Sequence, residues 1–308
     1  MTIKFGAAGS PICFQKMSRQ KVTCSFSIVT AIAALLCVAV SDTAVAGDRL
    51  LATGGVTQLE GAAGGGLVPW AVIAGYGTRD QIGATAFHTN IDTKDFELRS
   101  SGVAVGVYDR VELSLSRMIF SLGTTVPGQS IRQDIFGAKV KLVGDAVFDQ
   151  DSWMPQIAAG LQHKKNRDMK VPTALGARHD SGTDYYLSAT KLYLAGLAGR
   201  NVLLNATVRA TKANQLGLLG FGGDKHDRYQ LKVEGSAAIL LNDYFALGAE
   251  YRYKPDNLSV FREDNFYDLF AAWFLNKHVS LTAAYARLGQ LADKKKQDGV
   301  YLSVQIGL

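Results

Sequence analysis

Eight charged side chains of this chain have the placement of a lumen lining: Lys139, Lys141, Arg209, Lys232, Glu234, Glu250, Arg252 and Asp268. They fall on the polar phase of runs in which apolar and polar residues alternate. Lys139 and Lys141, for example, alternate with Ala138, Val140 and Leu142. Fixed charges on one wall of a wet passage set a local potential, and that potential selects small solutes by sign. Opposite charges on the same wall can also simply pair and solvate the interior. Five bases against three acids predict a mild preference for anions.

Other chemistry is thin. The three cysteines, Cys13, Cys24 and Cys37, all lie in the first 46 residues, so the rest of the chain offers no disulfide, thiolate nucleophile or cysteine metal site. The histidines at 88, 163, 179, 226 and 278 form no short metal-binding pair. The glycines at 64–66 are not followed by the Lys-Ser/Thr of a phosphate loop. A lipid-modifying barrel enzyme needs a serine or histidine at the outer lipid boundary with a placed partner. His88, or His179 beside Ser181, are the candidates, and neither has an evident partner in its own strand. No catalytic, cofactor-binding or metal-binding residue is predicted, and no cofactor.

The positions of these charges depend on elements that cross a bilayer as strands. Residues 26–40 are nearly all apolar and follow Lys16, Arg19 and Lys21, and Ala44-Val45-Ala46 forms a small-x-small site. That pattern predicts a secretory signal peptide over 1–46, with Met17 a possible true start, and a chain beginning at Gly47. Cys37 follows Leu36, a poor setting for lipidation. Beyond residue 46 the chain holds 29 basic and 26 acidic residues, a net +3 that asks for no nucleic acid.

Period-2 alternation then dominates over any helical stripe. Val202, Leu204, Ala206, Val208 and Ala210 share one face, and Phe245, Leu247, Ala249, Tyr251 and Tyr253 share another. Leu302, Val304, Ile306 and Leu308 make an apolar face of the final run. Several runs reach 9 to 11 residues, the length a tilted membrane strand needs. Short turns, as at Tyr108-Asp109-Arg110 and Gly199-Arg200, take turns with long polar loops at 121–132, 164–183, 212–227, 255–264 and 289–298. Outer-membrane barrels show this alternation because periplasmic turns are short and external loops long.

Thirteen strands are expected, at 68–76, 81–90, 94–107, 111–120, 133–143, 153–163, 184–194, 201–211, 228–240, 244–254, 265–275, 278–288 and 300–308. A fourteenth over 49–60 would carry the chain outward to the strand at 68–76 and make the count even. The fold class is therefore all-β, a single-chain transmembrane antiparallel β-barrel of about 14 strands, spanning residues 47–308. The alternative is that residues 49–66, with glycines at 61, 64, 65 and 66, fold inward as a plug. Aromatics near strand ends, among them Trp70, Tyr76, Phe87, Phe96, Phe120, Trp153, Trp273 and Tyr285, suggest girdles at the headgroup levels.

The stretch TGGVTQLEGAAGGGLVPWAVIAGYGTRDQIGA from Thr53, with GVYDRVELSLSR at 106–117, resembles an uncharacterised family of proteobacterial outer-membrane β-barrel proteins, a domain of unknown function. The resemblance covers nearly all of the chain after residue 46. It implies the outer membrane of a Gram-negative bacterium and brings no substrate or catalytic residue.

The partners expected are outer-membrane lipid and small polar solutes. Lipopolysaccharide phosphate is a further candidate for the basic stretch 163–179 (His163, Lys164, Lys165, Arg167, Lys170, Arg178, His179) and for Lys294 to Lys296. Outward Arg117 and Lys191 interrupt the apolar phase and are expected to snorkel. The function expected is a passive channel for small polar solutes. The alternatives are a structural or surface-interaction barrel with a sealed lumen, and a lipid-modifying enzyme.

Overall fold

The computed structural model describes residues 47–291 and 294–307, and the predicted signal peptide lies outside them. Two short strands come first, β1 (Val56–Thr57) and β2 (Ala63–Gly64), which pair only with each other. Twelve long strands follow. They are β3 (Ile82–Thr93), β4 (Glu97–Val107), β5 (Val111–Ser121), β6 (Ser130–Val143), β7 (Gln156–Asn166) and β8 (Ser181–Leu197). Then come β9 (Arg200–Thr211), β10 (Gln230–Asn242), β11 (Phe245–Arg252), β12 (Phe266–Phe274), β13 (Val279–Arg287) and β14 (Asp298–Gly307). A one-turn helix, α1 (Lys170–Ala174), lies in the connection between β7 and β8.

Each long strand is antiparallel to its neighbours, and β14 pairs with β3, Ser303 opposite Thr89, to close a barrel. Closure leaves no edge, and in a bilayer every edge would carry backbone groups with no partner. The wall alternates as the sequence predicts. On β5, Leu113 and Leu115 are exposed while Glu112, Ser114 and Ser116 are buried. An outside this apolar, with a polar inside, is the construction of a transmembrane barrel.

The barrel has 12 strands, not about 14. The two expected strands at 49–60 and 68–76 are not in the wall; they fold inside it. The run at 68–76 is apolar on both phases, and Val68, Trp70, Ala71, Val72, Ile73 and Ala74 are all buried. A wall strand needs one lipid face and one lumen face, and this run has no such division. The run at 49–60 is broken by Gly55, whose φ is 66°, and is followed by Gly61 at φ 97°. These left-handed positions turn the chain back on itself, which glycine permits. The inward alternative is the one adopted, and it extends through residue 76.

The other twelve expected strands match β3 to β14 in order. Connections at one end are mostly short: 108–110, 198–199, 243–244 and 275–278. Those at the other end are mostly long: 122–129, 167–180, 212–229, 253–265 and 288–297. The exceptions are 94–96 at the long end and 144–155 at the short end. The long-loop end is taken as the outer one. The aromatics divide. Trp273, Tyr251 and Tyr285 are exposed on the outer wall as a girdle requires, and Trp153 is exposed in the 144–155 connection. Trp70 and Tyr76 belong to the inner segment, and Phe87, Phe96 and Phe120 point inward and are buried.

Candidate functional site: the occupied lumen

Residues 47–76 form a plug that enters and leaves through the short-turn mouth. Arg49 N–H donates to Tyr76 O at 3.2 Å, so the two ends of the segment lie side by side. The plug has little regular structure of its own, so its backbone groups need partners from the wall. Ser188 and Thr207 donate to Pro69 O at 3.0 and 2.8 Å. Gln156 Nε2 donates to Ala71 O at 2.7 Å, and Ala71 N–H donates to Thr190 Oγ1 at 2.8 Å. Glu112 accepts from Ala63 N–H and Ala74 N–H at 3.1 and 2.9 Å. Trp70 Nε1 donates to Ser236 Oγ at 2.9 Å.

Toward the outer ends of β7, β9 and β11 an ion network joins plug to wall. Glu60 pairs with Arg252 at 2.7 Å and with Lys164, and lies 3.9 Å from Arg209. Arg209 binds Glu234 at 2.6 Å and lies 3.5 Å from Asp184, which also pairs with Lys164. Arg252 reaches Glu234 at 3.2 Å. Three bases, Lys164, Arg209 and Arg252, therefore meet three acids, of which Asp184 and Glu234 come from the wall and Glu60 from the plug. Burial works against the charged form of Glu60, but Arg252, Lys164 and Arg209 outweigh it and hold its carboxyl well below the usual range. All six are almost fully buried.

The eight residues expected to line the lumen all lie on the inward phase, and seven of them are buried. Arg209, Glu234 and Arg252 form the network above. Lys139 donates to Glu112 at 3.0 Å and to the plug carbonyls of Ala63 and Val72 at 2.9 and 2.8 Å. Lys141 pairs with Asp109 near the mouth, where Arg49 of the plug reaches the same carboxylate at 3.2 Å. Glu250 accepts from Leu67 N–H and Ser236 Oγ, both at 2.7 Å. Asp268 lies directly across the β11–β12 pair from Glu250, and one of its oxygens has no hydrogen-bond partner. Lys232 is half-buried, opposite Arg209 in register. These charges are spread over several levels and most of them hold the plug.

The glycines at 64–66 do cradle an anion, though not a phosphate. The Glu250 carboxylate packs so closely against Gly65 that a Cβ there would sit 2.0 Å from its Oε1. Sequence reasoning missed Glu60, Lys164 and Asp184 as members of the site. The strand expected over 153–163 stops one residue short of Lys164, which lies in β7 on the inward phase of Gln162, so extending the alternation by one residue includes it. Lys165 and His163 of the same expected loop group are on the outward phase of β7. Lys191 turns toward the short-turn end and donates to Asp149 O.

Apolar layers lie above and below the network. Toward the outer end, Leu59 of the plug meets Ile91, Leu98, Phe120, Leu216 and Phe266 around a cavity of only about 20 Å³. Leu216 belongs to the loop between β9 and β10, which folds inward and is held by Gln133 and Asn166 through the carbonyls of Leu216, Gly217 and Leu218. Toward the mouth, Leu51, Val56, Trp70, Leu203, Leu240 and Phe270 surround about 70 Å³.

The family model described as "Protein of unknown function (DUF3034)" matches residues 53–305, a span that takes in plug and wall together. This chain belongs to that family. No curated protein matches it. Solved structures similar in shape include the KdgM porin, with 9% identity, a TM-score of 0.45, and coverage of 72% of this chain and 98% of the porin. The outer membrane protein Omp33 of Acinetobacter baumannii has 9% identity and a TM-score of 0.42, over 74% of this chain and 98% of its own. The COG4313 outer membrane channel of Pseudomonas putida F1 has 12% identity and a TM-score of 0.39, over 78% of this chain and 96% of its own. This DUF3034 chain is an outer-membrane β-barrel.

Proposed function

We propose that the protein is a barrel sealed at rest, in which residues 47–76 close the lumen to small polar solutes. The observation that carries it is the burial of Glu60 among Lys164, Arg209 and Arg252. A charge buried this fully is tolerated only when paired and hydrogen-bonded, and this network supplies those partners inside a filled lumen. Twelve strands enclose more space than inward side chains alone fill, and the plug occupies the excess.

A second reading, a conduit that opens when the plug leaves, is favoured by one feature. Both ends of the plug lie at the same mouth, so it can withdraw without threading through the barrel. Bilayer conductance separates the readings. The intact protein should show almost no steady current. A chain lacking residues 49–75 should conduct if the wall stays closed, which heat-modifiable migration on gels would check. Steady conductance from the intact, well-folded protein would reject the sealed state. A silent but folded deletion variant would reject the conduit.

A further inference from the structure

The lipid-facing belt is uneven around the barrel. On β10, outward apolar residues run from Leu231 to Ile239, about 26 Å of strand at roughly 3.3 Å per residue. On β4 they run only from Val103 to Val107, about 13 Å by the same measure. Above Val103 the outward side chains are polar. His88 Nδ1 lies 2.7 Å from Ser101 Oγ, and His163 Nδ1 lies 2.9 Å from Thr183 Oγ1. Hydrocarbon offers such groups no partner, and a wall this polar is not built for acyl chains alone.

Within this region a shallow groove of about 580 Å³ runs along the outer wall of β4 to β7. Leu115 and Phe136 line its lower part, toward the apolar belt, and Arg117, Lys165 and Arg167 stand above them. Arg117 and Arg167 share one carboxylate, Asp134, at 2.6 and 2.8 Å. Asp180 at the rim engages Lys165. Three cations thus meet two carboxylates, and a positive excess remains on a wall at the outer leaflet. The neighbouring Arg132 and Asp168 neutralise each other at 2.9 Å.

We propose that this groove is a binding site for the phosphorylated glycolipid of the outer leaflet, lipopolysaccharide. A lipid A phosphate sits between Arg117 and Arg167, where guanidinium groups bind phosphate in a forked geometry. An acyl chain of the same molecule lies over Leu115 and Phe136. The short apolar belt on this side is then completed by lipid held in a fixed place. The site is on the outside of the wall and does not depend on whether the lumen opens.

The test is lipid retention by protein extracted from outer membranes in mild detergent, read by native mass spectrometry and by lipid analysis after denaturation. Wild-type protein should keep about one lipopolysaccharide per chain through purification. The Arg117→Gln/Arg167→Gln variant should lose at least five-fold, and added lipid A should raise the melting temperature of wild type but not of the variant. Arg287→Gln, on the far wall, should behave as wild type. Both arginines are more than half exposed, so the double variant should fold, and heat-modifiable migration would verify it. Equal retention by wild type and double variant would overturn the proposal. So would selective retention of glycerophospholipid in place of lipopolysaccharide, or a wild-type dimer that the double variant breaks, which would make this face a contact between two copies.

Discussion

The Glu60 carboxylate and the Arg252 guanidinium lie 2.7 Å apart across 192 residues of sequence, and this contact ties the plug to the barrel wall. Glu60 also supplies the third negative charge in a group whose wall members alone hold three bases and two acids. Without the plug, the wall at this level carries an uncompensated positive charge. Plug and wall are therefore electrically complementary.

Glu60→Gln should loosen the plug. Removing one partner of a buried ion group costs about 3–5 kcal/mol because the others are left uncompensated. The expected result is faster cleavage of residues 47–76 by protease added from the periplasmic side, with the wall intact, and flickering current in a planar bilayer. A plug as protected as in wild type would show that the backbone contacts hold it without the ion network.

Gly65→Ala should have a comparable effect by a steric route. The added Cβ would meet Glu250 Oε1 at 2.0 Å and Glu250 Cδ at 2.5 Å, and Glu250 is itself fixed by Leu67 N–H and Ser236. Either the plug or the Glu250 side chain must move. The double variant Gly65→Ala/Glu250→Ala should recover part of the loss, read as protease protection. Without that recovery, the clash is not the cause.

Acid should act on the same contact. The folded-state pKa of Glu60 lies below its ordinary value of 4.5. Its contribution is complete above about pH 4.5 and is lost as pH falls from there toward the folded value. The Glu60 contribution to plug protection should therefore decline below about pH 4.5, and that decline should be weaker in Glu60→Gln. Hydrogen exchange at residues 58–72 would follow it. A loss that begins above pH 6 would point to another group.

The uneven belt predicts uneven tolerance of charge. Val208 faces lipid between Val233 and Leu187. Val208→Arg should cost about 2–4 kcal/mol if it lies near the midplane, whereas Ser101→Arg, above the short belt of β4, should cost about 0–1 kcal/mol. Reversible unfolding from lipid vesicles by urea gives both numbers. Equal costs would mean that the hydrocarbon covers both walls to the same height.

The wall was legible in the sequence. Alternation of period 2 fixes which side chain faces lipid and which faces the lumen, and the long-and-short rhythm of the loops fixes the direction of each strand. Both signals are local, so β3 to β14 could be read in order, and the inward phase of Lys139, Arg209, Glu234 and Arg252 with them. The destination of residues 47–76 was decided only by the tertiary structure. A plug has no period of its own: its backbone is satisfied by Ser188, Thr207, Gln156 and Glu112, which lie 119, 138, 85 and 38 residues from their partners in sequence. Glu60 becomes central only because β7, β9 and β11 bring Lys164, Arg209 and Arg252 to one level of a closed barrel. Such convergence depends on strand register around the whole wall, and no local stretch of sequence carries it.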